Sequence, residues 1–289
     1  MHQTTHSKKL PHLPAMPSMH AANRRKHIVS LEFIIFALIS GFSFYYTAFI
    51  NFSKEPIYLW DEVRVATNAV EMYSSGNPIL TTYTYRPETW NLKPPLLLWL
   101  QSLSIAVFGI HEGAVRLPSI GAVLICLAAI SWCLRKLFPS SWLPALVGNL
   151  VLLGSQGFMG YHVARTADYD ALLSCWVLLA LISFWLWLQN PDRHNSLLIC
   201  AGAIAAASLT KGVAGFFVLP FLVGSGIYYL RLRGSARFCT RFLLIISASL
   251  LPLVVYYLVR EMYQPGHFRL IWENELGGRY NATLDGHQH

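Results

Sequence analysis

The sequence predicts an all-α polytopic membrane protein: a helical bundle of about seven spanning helices, with interfacial helices in its first outer loop. Three observations carry this reading. Hydrophobic residues make up 54% of the 289 and charged residues only 12%, where a soluble globular domain has roughly 25% charged. The apolar residues fall in blocks rather than amphipathic stripes, and several reach the roughly 20 residues that a helix needs to cross a ~30 Å hydrocarbon core. Basic residues cluster beside particular blocks, so the net charge of +8 follows membrane sidedness rather than nucleic-acid binding. A soluble enzyme, a secreted disulfide scaffold and a disordered chain are excluded. The five cysteines, Cys126, Cys133, Cys175, Cys200 and Cys239, have no CxxC spacing and read as small buried hydrophobes.

Residues 1–27 are rich in His, Pro, Ser and basic residues, have no hydrophobic period and end in Arg24-Arg25-Lys26-His27. They are expected to form a disordered basic cytoplasmic tail. The block Ile28–Ile50 follows; it is too long for a removable signal segment and lacks its small-residue cleavage pattern, so it is the first expected span. Further expected spans are Leu117–Leu134, Leu143–Tyr161, Ala171–Leu188, Leu197–Leu209, Val213–Leu230 and Phe242–Val259. Pro94–Ile110 is ambiguous, because if it crosses, every later loop changes sides. The positive-inside rule arbitrates. If the block does not cross, the inner side holds Lys8, Lys9, Arg24, Arg25, Lys26, Arg135, Lys136, Arg193, Arg231, Arg233, Arg237 and Arg241 against Asp192, with Glu32 just inside the first helix. Crossing would export Arg135, Lys136 and the Arg231–Arg241 cluster. Pro94–Ile110 is therefore expected to be an interfacial or re-entrant helix on the outer face, opened by Pro94-Pro95. The transmembrane domain is expected over 28–259, including an outer loop over 51–116, with 260–289 as a further outer loop.

This topology brings the loop 51–93, the Arg165–Asp170 turn, the Thr210–Gly212 turn and the tail after Arg260 to one face. In the first loop, Trp60-Asp61-Glu62 opens an amphipathic stretch with Val63, Ala66, Val70 and Tyr73 on one helical face. Asp61 and Arg64 there suit a helix cap with an i,i+3 pair, and equally a reactive site. Tyr83-Thr84-Tyr85-Arg86 and Asn91-Leu92-Lys93 continue the loop. Rings for a sugar, Lys or Arg for a lipid phosphate and a carboxylate for proton transfer are what a lipid-linked sugar needs; snorkelling is the simpler reading of Lys93. Arg165, Asp168 and Asp170 either cap the next helix or line the same site. Lys211 between two apolar blocks requires polar surroundings. No GxGxxG, Walker or CxxC motif is present.

Taken in order, Asp61-Glu-x-Arg64, Lys93-Pro94-Pro95-Leu96, Arg116-Leu117-Pro118, Arg165 to Asp170-Ala-Leu-Leu, Leu209-Thr210-Lys211-Gly212 and Trp272-Glu273-Asn274 with Arg279-Tyr280 resemble a known family. It is that of the bacterial polyprenyl-phosphate-sugar glycosyltransferases, membrane enzymes of the protein O-mannosyltransferase and lipid A aminoarabinose transferase type with the GT-C fold. The resemblance covers about residues 28–289; each motif is weak alone, and six in the family order are specific. It implies that Asp61 is the catalytic aspartate and Asp170 the second acidic residue. Lys93 and Arg279 become ligands of the donor phosphate, with Lys211 a further candidate, and Glu62, Arg64, Tyr85, Arg86, Arg165, Asp168 and Asn274 become supporting residues. Some relatives have Glu before the Lys-Pro-Pro and His at a second position, both part of a metal site; this chain has Leu92 and Asn274 there. No metal ligand is therefore assigned and no cofactor is required, while the question of a divalent metal stays open. The family is usually much longer, so 260–289 is expected to begin a C-terminal part absent from this sequence.

The implied function is a hexosyl- or pentosyltransferase of the inner membrane, with a cytoplasmic N-terminus and an outer-face site. It would move a sugar from a polyprenyl-phosphate donor to a lipid or protein acceptor, with membrane lipids as its other partners and no nucleic acid. A lipid or solute transporter or flippase, or an inactive truncated subunit, is the alternative. Transporters place ionisable residues near mid-membrane, whereas these lie at helix ends and in loops.

Overall fold

The structure, a computed structural model, describes residues 19–276 except 51, 59, 161, 191–193, 234 and 235, with the backbone alone at 19–29, 232–238, 275 and 276. It is helical throughout, apart from a two-stranded hairpin pairing Thr82–Tyr83 with Arg86–Pro87. The first helix, α1 (Met19–Phe49), starts eight residues before the expected end of the tail. Ala21, Ala22, Arg24, Arg25 and Lys26 are good helix formers, so the helix propagates past the last apolar residue. Residues 1–18 lie outside the described residues. Most of α1's large apolar side chains are exposed, as suits a helix facing lipid, and it packs on α5 (Leu143–Gly154).

Among the described residues, five helices are long and apolar enough to cross a membrane: 30–49, 112–137, 170–189, 194–216 and 239–263. Two of the seven expected spans fall short of this. The block expected over Leu143–Tyr161 breaks at Ser155, whose backbone is extended, into the 12-residue α5 and the single turn α6 (Gln156–Met159). At about 1.5 Å per residue α5 is about 18 Å long. The block expected over Val213–Leu230 spends its start on a 3₁₀ turn (Gly212–Phe216), leaving the 15-residue helix α9 (Leu219–Arg233). The ambiguous block forms α3 (Leu96–Phe108), 13 residues long and too short to span.

Helix α3 lies between α2 (Asp61–Ser75) and α4 (Glu112–Leu137). Its Leu97, Leu98, Gln101 and Ile105 are buried while Leu103, Val107 and Phe108 are exposed. The buried face of α2 is Glu62, Val65, Ala66, Asn68, Ala69, Glu71 and Met72; of the expected Val63-Ala66-Val70-Tyr73 stripe only Ala66 is buried, Val63 and Val70 are half-buried, and Tyr73 is exposed. The helix is turned because Glu62 faces Arg116 of α4. That guanidinium is fully buried and has all five of its N–H donors engaged. It donates to both Glu62 carboxylate oxygens at 2.7 and 3.0 Å, and to the carbonyls of Phe52, Glu55 and Pro56. Glu62 accepts in addition from the backbone N–H groups of Tyr58 and Ala167. Gln101 donates to the carbonyls of Val115 and Ala167, tying α3 to the same turn.

The second half is built from α7 (Asp170–Gln189), α8 (His194–Lys211), α9 and α10 (Ala236–Tyr263) around a core of Phe184, Trp187, Ile204, Leu222 and Ile245. Gly212 turns the chain out of α8 at φ +58°, with Pro94 and the Tyr257 hydroxyl crowding the position a Cβ would take. Only glycine suits both requirements. At the end of α10, the buried Arg260 donates to the carbonyls of Ile79 and Thr81, so the last helix is moored to the first loop.

Next to it, in α11 (His267–Ile271), His267 is buried with neither ring nitrogen partnered among the described residues. Burial, and then the nearby Arg260 charge, push the imidazole down to about 4 from 6.5. The unfolded chain therefore binds this proton more readily than the folded one. Stability is complete above the unfolded value and falls as pH drops through the window from 6.5 to about 4. Thermal unfolding in detergent is expected to show this loss in wild type and a flatter profile in His267→Phe. An identical pH dependence in the two proteins would contradict the assignment.

Candidate active site

Four separated segments meet at one end of the bundle: the start of α2, the stretch before α3, the turn 162–170 and the end of α8. They enclose a cleft of about 140 Å³ lined by Asp61, Arg64, Val65, Trp90, Asn91, Lys93, His162, Asp168, Tyr169, Asp170 and Lys211. The lining is mainly charged and aromatic. Of the residues expected from sequence, Asp61, Arg64, Lys93, Asp168, Asp170 and Lys211 come together here.

Asp61 is the first residue of α2 and does not cap it. The cap position is Trp60, which has φ +74° and makes no side-chain capping bond. The Asp61 side chain is exposed and accepts no hydrogen bond among the described residues; its nearest charged neighbour is His162 Nδ1, 3.9 Å from Oδ2. Arg64 does not pair with Asp61. It forks onto Glu88, with Nε to Oε2 at 3.0 Å and Nη2 to Oε1 at 2.9 Å, and lies 4.4 Å from the Tyr83 ring centroid. Burial alone would raise the Glu88 carboxyl. The Arg64 guanidinium, the Trp90 N–H and the Asn68 amide outweigh it and hold the group below the ordinary glutamate range. Sequence reasoning missed Glu88; its only signal was a lone acid in an aromatic loop.

Lys93 reaches the cleft from a segment held by a buried amide–phenol network. Asn91 donates to Asn68 Oδ1 at 2.9 Å and to the Tyr169 hydroxyl at 3.0 Å. The Lys93 ammonium lies 5.3 Å from the Tyr169 ring centroid, and among the described residues it has no ion pair or hydrogen bond. Lys211 differs, because its ammonium is paired with Asp170, joining the end of α8 to the start of α7. Its positive charge is spent on a protein carboxylate. Asp168 is buried, with Oδ1 accepting from the Tyr169 N–H at 2.7 Å. Burial raises its carboxyl, partly offset by that N–H, and the like charge of Asp170 pushes it up further.

Other expected site residues lie elsewhere. Glu62 is in the buried ion pair with Arg116, a structural position. Tyr85 and Arg86 are exposed on the hairpin, where Thr84 and Tyr85 adopt positive φ. Arg165 donates to the Ile50 carbonyl and pairs with Glu55 at 3.1 Å, pinning the turn to the end of α1. Asn274 donates to the Thr89 carbonyl and position 92 is a buried leucine, so these two offer neither the carboxylate nor the imidazole of the metal site found in some relatives. Arg279 lies outside the described residues. His162, with φ +65°, was not singled out from the sequence; it carries no motif and joins the cleft only through the turn. It also lines an apolar groove with Pro56, Ile57, Tyr58, Trp60, Glu62 and Thr166.

Because Arg64, Trp90 and Asn68 all converge on Glu88, removing its charge should loosen this wall of the cleft. Glu88→Gln is expected to lower stability by about 1–3 kcal/mol, the range for hydrogen bonds to charged groups, measured by thermal unfolding in detergent. An unchanged melting temperature would show that the fork is dispensable.

Comparison with known proteins places these features in a family context. Residues 92–231 match the family model for dolichyl-phosphate-mannose-protein mannosyltransferase. An undecaprenyl phosphate-alpha-4-amino-4-deoxy-L-arabinose arabinosyl transferase of Edwardsiella ictaluri is 28% identical over 221 residues, which cover 73% of this chain and 38% of that protein. The structure of ArnT from Cupriavidus metallidurans bound to undecaprenyl phosphate superposes with a TM-score of 0.66 at 22% identity, over 83% of this chain and 44% of that one. The protein O-mannosyltransferase Pmt1-Pmt2 complex of S. cerevisiae, bound to its sugar donor, gives a TM-score of 0.54 at 19% identity, over 88% of this chain and 36% of the other. The solved structures share the fold, and the chain spans about two fifths of the length of the Edwardsiella relative.

Proposed function

This chain belongs to the GT-C glycosyltransferase family, and from that premise we propose that it serves in moving one sugar from a polyprenyl-phosphate carrier to a lipid or protein acceptor. The observation that carries the proposal is the division of charge in the cleft. Arg64 is occupied by Glu88 and Lys211 by Asp170, while Lys93 and Asp61 are without hydrogen-bonded partners among the described residues. A free cation and a free carboxylate facing one cleft suit a reaction with an anionic leaving group and an acceptor proton to remove.

In this reading Lys93 holds the carrier phosphate and stabilises the charge that grows on it as the glycosidic bond breaks, where electrostatic catalysis has most to gain. Asp61 takes the proton of the acceptor hydroxyl, or orients the acceptor when it is already an anionic phosphate. Attack opposite the departing phosphate inverts the anomeric carbon. Asp170 is the second acidic residue of the site, its carboxylate oriented by Lys211. Trp90 offers an exposed ring surface to the sugar. The residues on either side of Asp61, Trp60 and Glu62, line the apolar groove, which gives an acceptor a route to the carboxylate separate from the donor's. Arg279 remains a proposed further ligand of the phosphate. The relatives named above support the donor class: one is named for an undecaprenyl-phosphate substrate and another is bound to undecaprenyl phosphate.

We place the cleft on the outer face and the N-terminus in the cytoplasm. Arg135 and Lys136 lie in the last turn of the 26-residue α4, at the end away from the cleft. Glu32, near the start of the apolar span 30–49 of α1, accepts from Ser141 and Trp142 at that same far end. The basic residues thus gather opposite the cleft, as positive-inside placement requires.

Asp61→Asn in the full-length protein is expected to retain fold and donor affinity while lowering sugar transfer to a hydroxyl acceptor by about 10²–10⁴-fold, the usual contribution of a general base. Transfer at the wild-type rate would remove Asp61 from the reaction. Lys93→Ala should weaken binding of a polyprenyl phosphate by roughly 10- to 100-fold, as loss of a charge-assisted bond implies. For orientation, a single cysteine at position 93 in a background lacking the native ones should react with an impermeant reagent added outside, and one at position 135 should not. The opposite labelling would invert the topology.

A further inference from the structure

We propose that the apolar groove between α7 and α9, at the end of the bundle away from the cleft, binds one anionic phospholipid, with an acyl chain in the groove and the headgroup phosphate at Lys136. The groove has a volume of about 600 Å³ and is lined by Leu188, Phe221, Gly224, Ser225, Tyr228 and Tyr229. Leu188 lies about 27 Å along α7 from Asp170, and the groove and the cleft share no residue. Phe221, Gly224, Ser225 and Tyr228 recur at helical spacing and form one stripe of α9. Phe221 and Tyr228 stand exposed at its two ends, and between them the side chains shrink to those of a glycine and a serine. A Cβ added at Gly224 would meet nothing within 4 Å. The stripe is therefore a trough with aromatic ends, a shape that takes a flexible hydrocarbon chain.

A second observation supplies the headgroup contact. The Lys136 ammonium lies 5.3 Å from the Trp132 ring centroid and 5.7 Å from that of Trp185, both within the roughly 6 Å reach of a cation–π contact. Trp132 is one turn before Lys136 on α4, and Trp185 one turn before Leu188 on α7, so the cation is held beside the mouth of the groove. Among the described residues Lys136 pairs with no carboxylate. Arg231, exposed and one turn beyond Tyr228 on α9, adds a second cation at the same end. An apolar helix laid on the stripe would leave both cations unanswered, whereas a lipid of net negative charge answers them while its chain fills the trough. A zwitterionic lipid fills the trough equally well but carries its own counter-charge. Tryptophans at headgroup depth fit the same boundary. On the orientation proposed above, this end faces the cytoplasmic leaflet, whose anionic lipids attract juxtamembrane Lys and Arg. The site itself rests on the groove and the clamped cation, whether or not the transferase reading holds.

The test is native mass spectrometry of the full-length protein, delipidated in detergent and titrated with dioleoylphosphatidylglycerol or dioleoylphosphatidylcholine, which share their acyl chains and differ in headgroup charge. Wild type is expected to retain one phosphatidylglycerol per protein, in preference to phosphatidylcholine by roughly fivefold. Lys136→Gln should erase that preference and leave phosphatidylcholine binding as it was. Gly224→Leu fills the trough with a better helix former and should weaken both lipids at least about tenfold, since the chain loses its apolar contact. Should Gly224→Leu misfold, Ser225→Leu occupies the same trough and the same weakening is expected of it. Lys93→Ala, in the cleft, should bind both lipids as wild type does. Equal retention of the two lipids by wild type, or retention that neither Lys136→Gln nor Gly224→Leu alters, would overturn the site. So would an absence of bound lipid in wild type, the result expected if another helix of the full-length protein covers the groove. Undecaprenyl phosphate is added last, as a competitor: displacement of phosphatidylglycerol at equal concentration would assign the groove to the carrier instead and likewise overturn the proposal.

Discussion

The Arg116 guanidinium and the Glu62 carboxylate are both buried, and neither would be tolerated there without the other. Taking one such group out of water unpaired costs several kcal/mol, and breaking a buried pair typically costs about 3–5 kcal/mol. The pair therefore dictates where four pieces of chain must lie. The carbonyls of Phe52, Glu55 and Pro56 complete the guanidinium, and the N–H groups of Tyr58 and Ala167 complete the carboxylate. The loop leaving α1, the start of α2, the start of α4 and the turn before α7 are thereby fixed to one another. A hydrophobic pair of similar volume would fill the space but would leave those backbone groups unpaired and their relative positions unspecified. Specification of the loops is the role best matched to so costly an arrangement.

The cleft follows from that constraint. Glu62 pointing inward puts its neighbour Asp61 outward, on the rim, and the turn that supplies the Ala167 N–H also carries His162, Asp168 and Asp170. Gln101 holds the same turn from α3, and the Asn68–Asn91–Tyr169 network sets the height of Lys93 above it. Charges in the site are then sorted by partner. Glu88 takes Arg64 and Asp170 takes Lys211, which leaves Lys93 and Asp61 without a hydrogen-bonded partner among the described residues. A protein could have paired Lys93 with Asp61 and closed the cleft as an ordinary surface ion pair; the structure keeps them apart.

Much of this was legible in the sequence where local pattern determines the outcome. Spans such as α4, α7 and α10 follow from uninterrupted apolar blocks, and the placement of Pro94–Ile110 outside the spanning set follows from where basic residues gather. The six ordered motifs led to Asp61, Lys93, Asp168, Asp170 and Lys211, which the fold brings together. Misreadings arose where tertiary contacts override pattern. The face of α2 was assigned by apolar spacing, whereas a polar residue, Glu62, decides which side is buried. Ser155 and the Lys211-Gly212 turn shorten two helices without interrupting hydropathy enough to show. Glu88 and His162 carry no local signature; each matters only because of what distant segments place beside it. Glu62 was grouped with the site by the Asp61-Glu-x-Arg64 motif of the family resemblance, although adjacent residues at a helix start point in different directions.

The central claim is that the disengaged Lys93 and Asp61 face a lipid-linked sugar, and the most direct measurement is a cryo-electron-microscopy structure of the full-length protein with a polyprenyl-phosphate sugar bound. The account predicts the donor phosphate within hydrogen-bond distance of Lys93 Nζ, about 3 Å, and the anomeric carbon turned toward Asp61. A donor whose phosphate lies elsewhere, with Lys93 unengaged and Asp61 remote from the sugar, would contradict it.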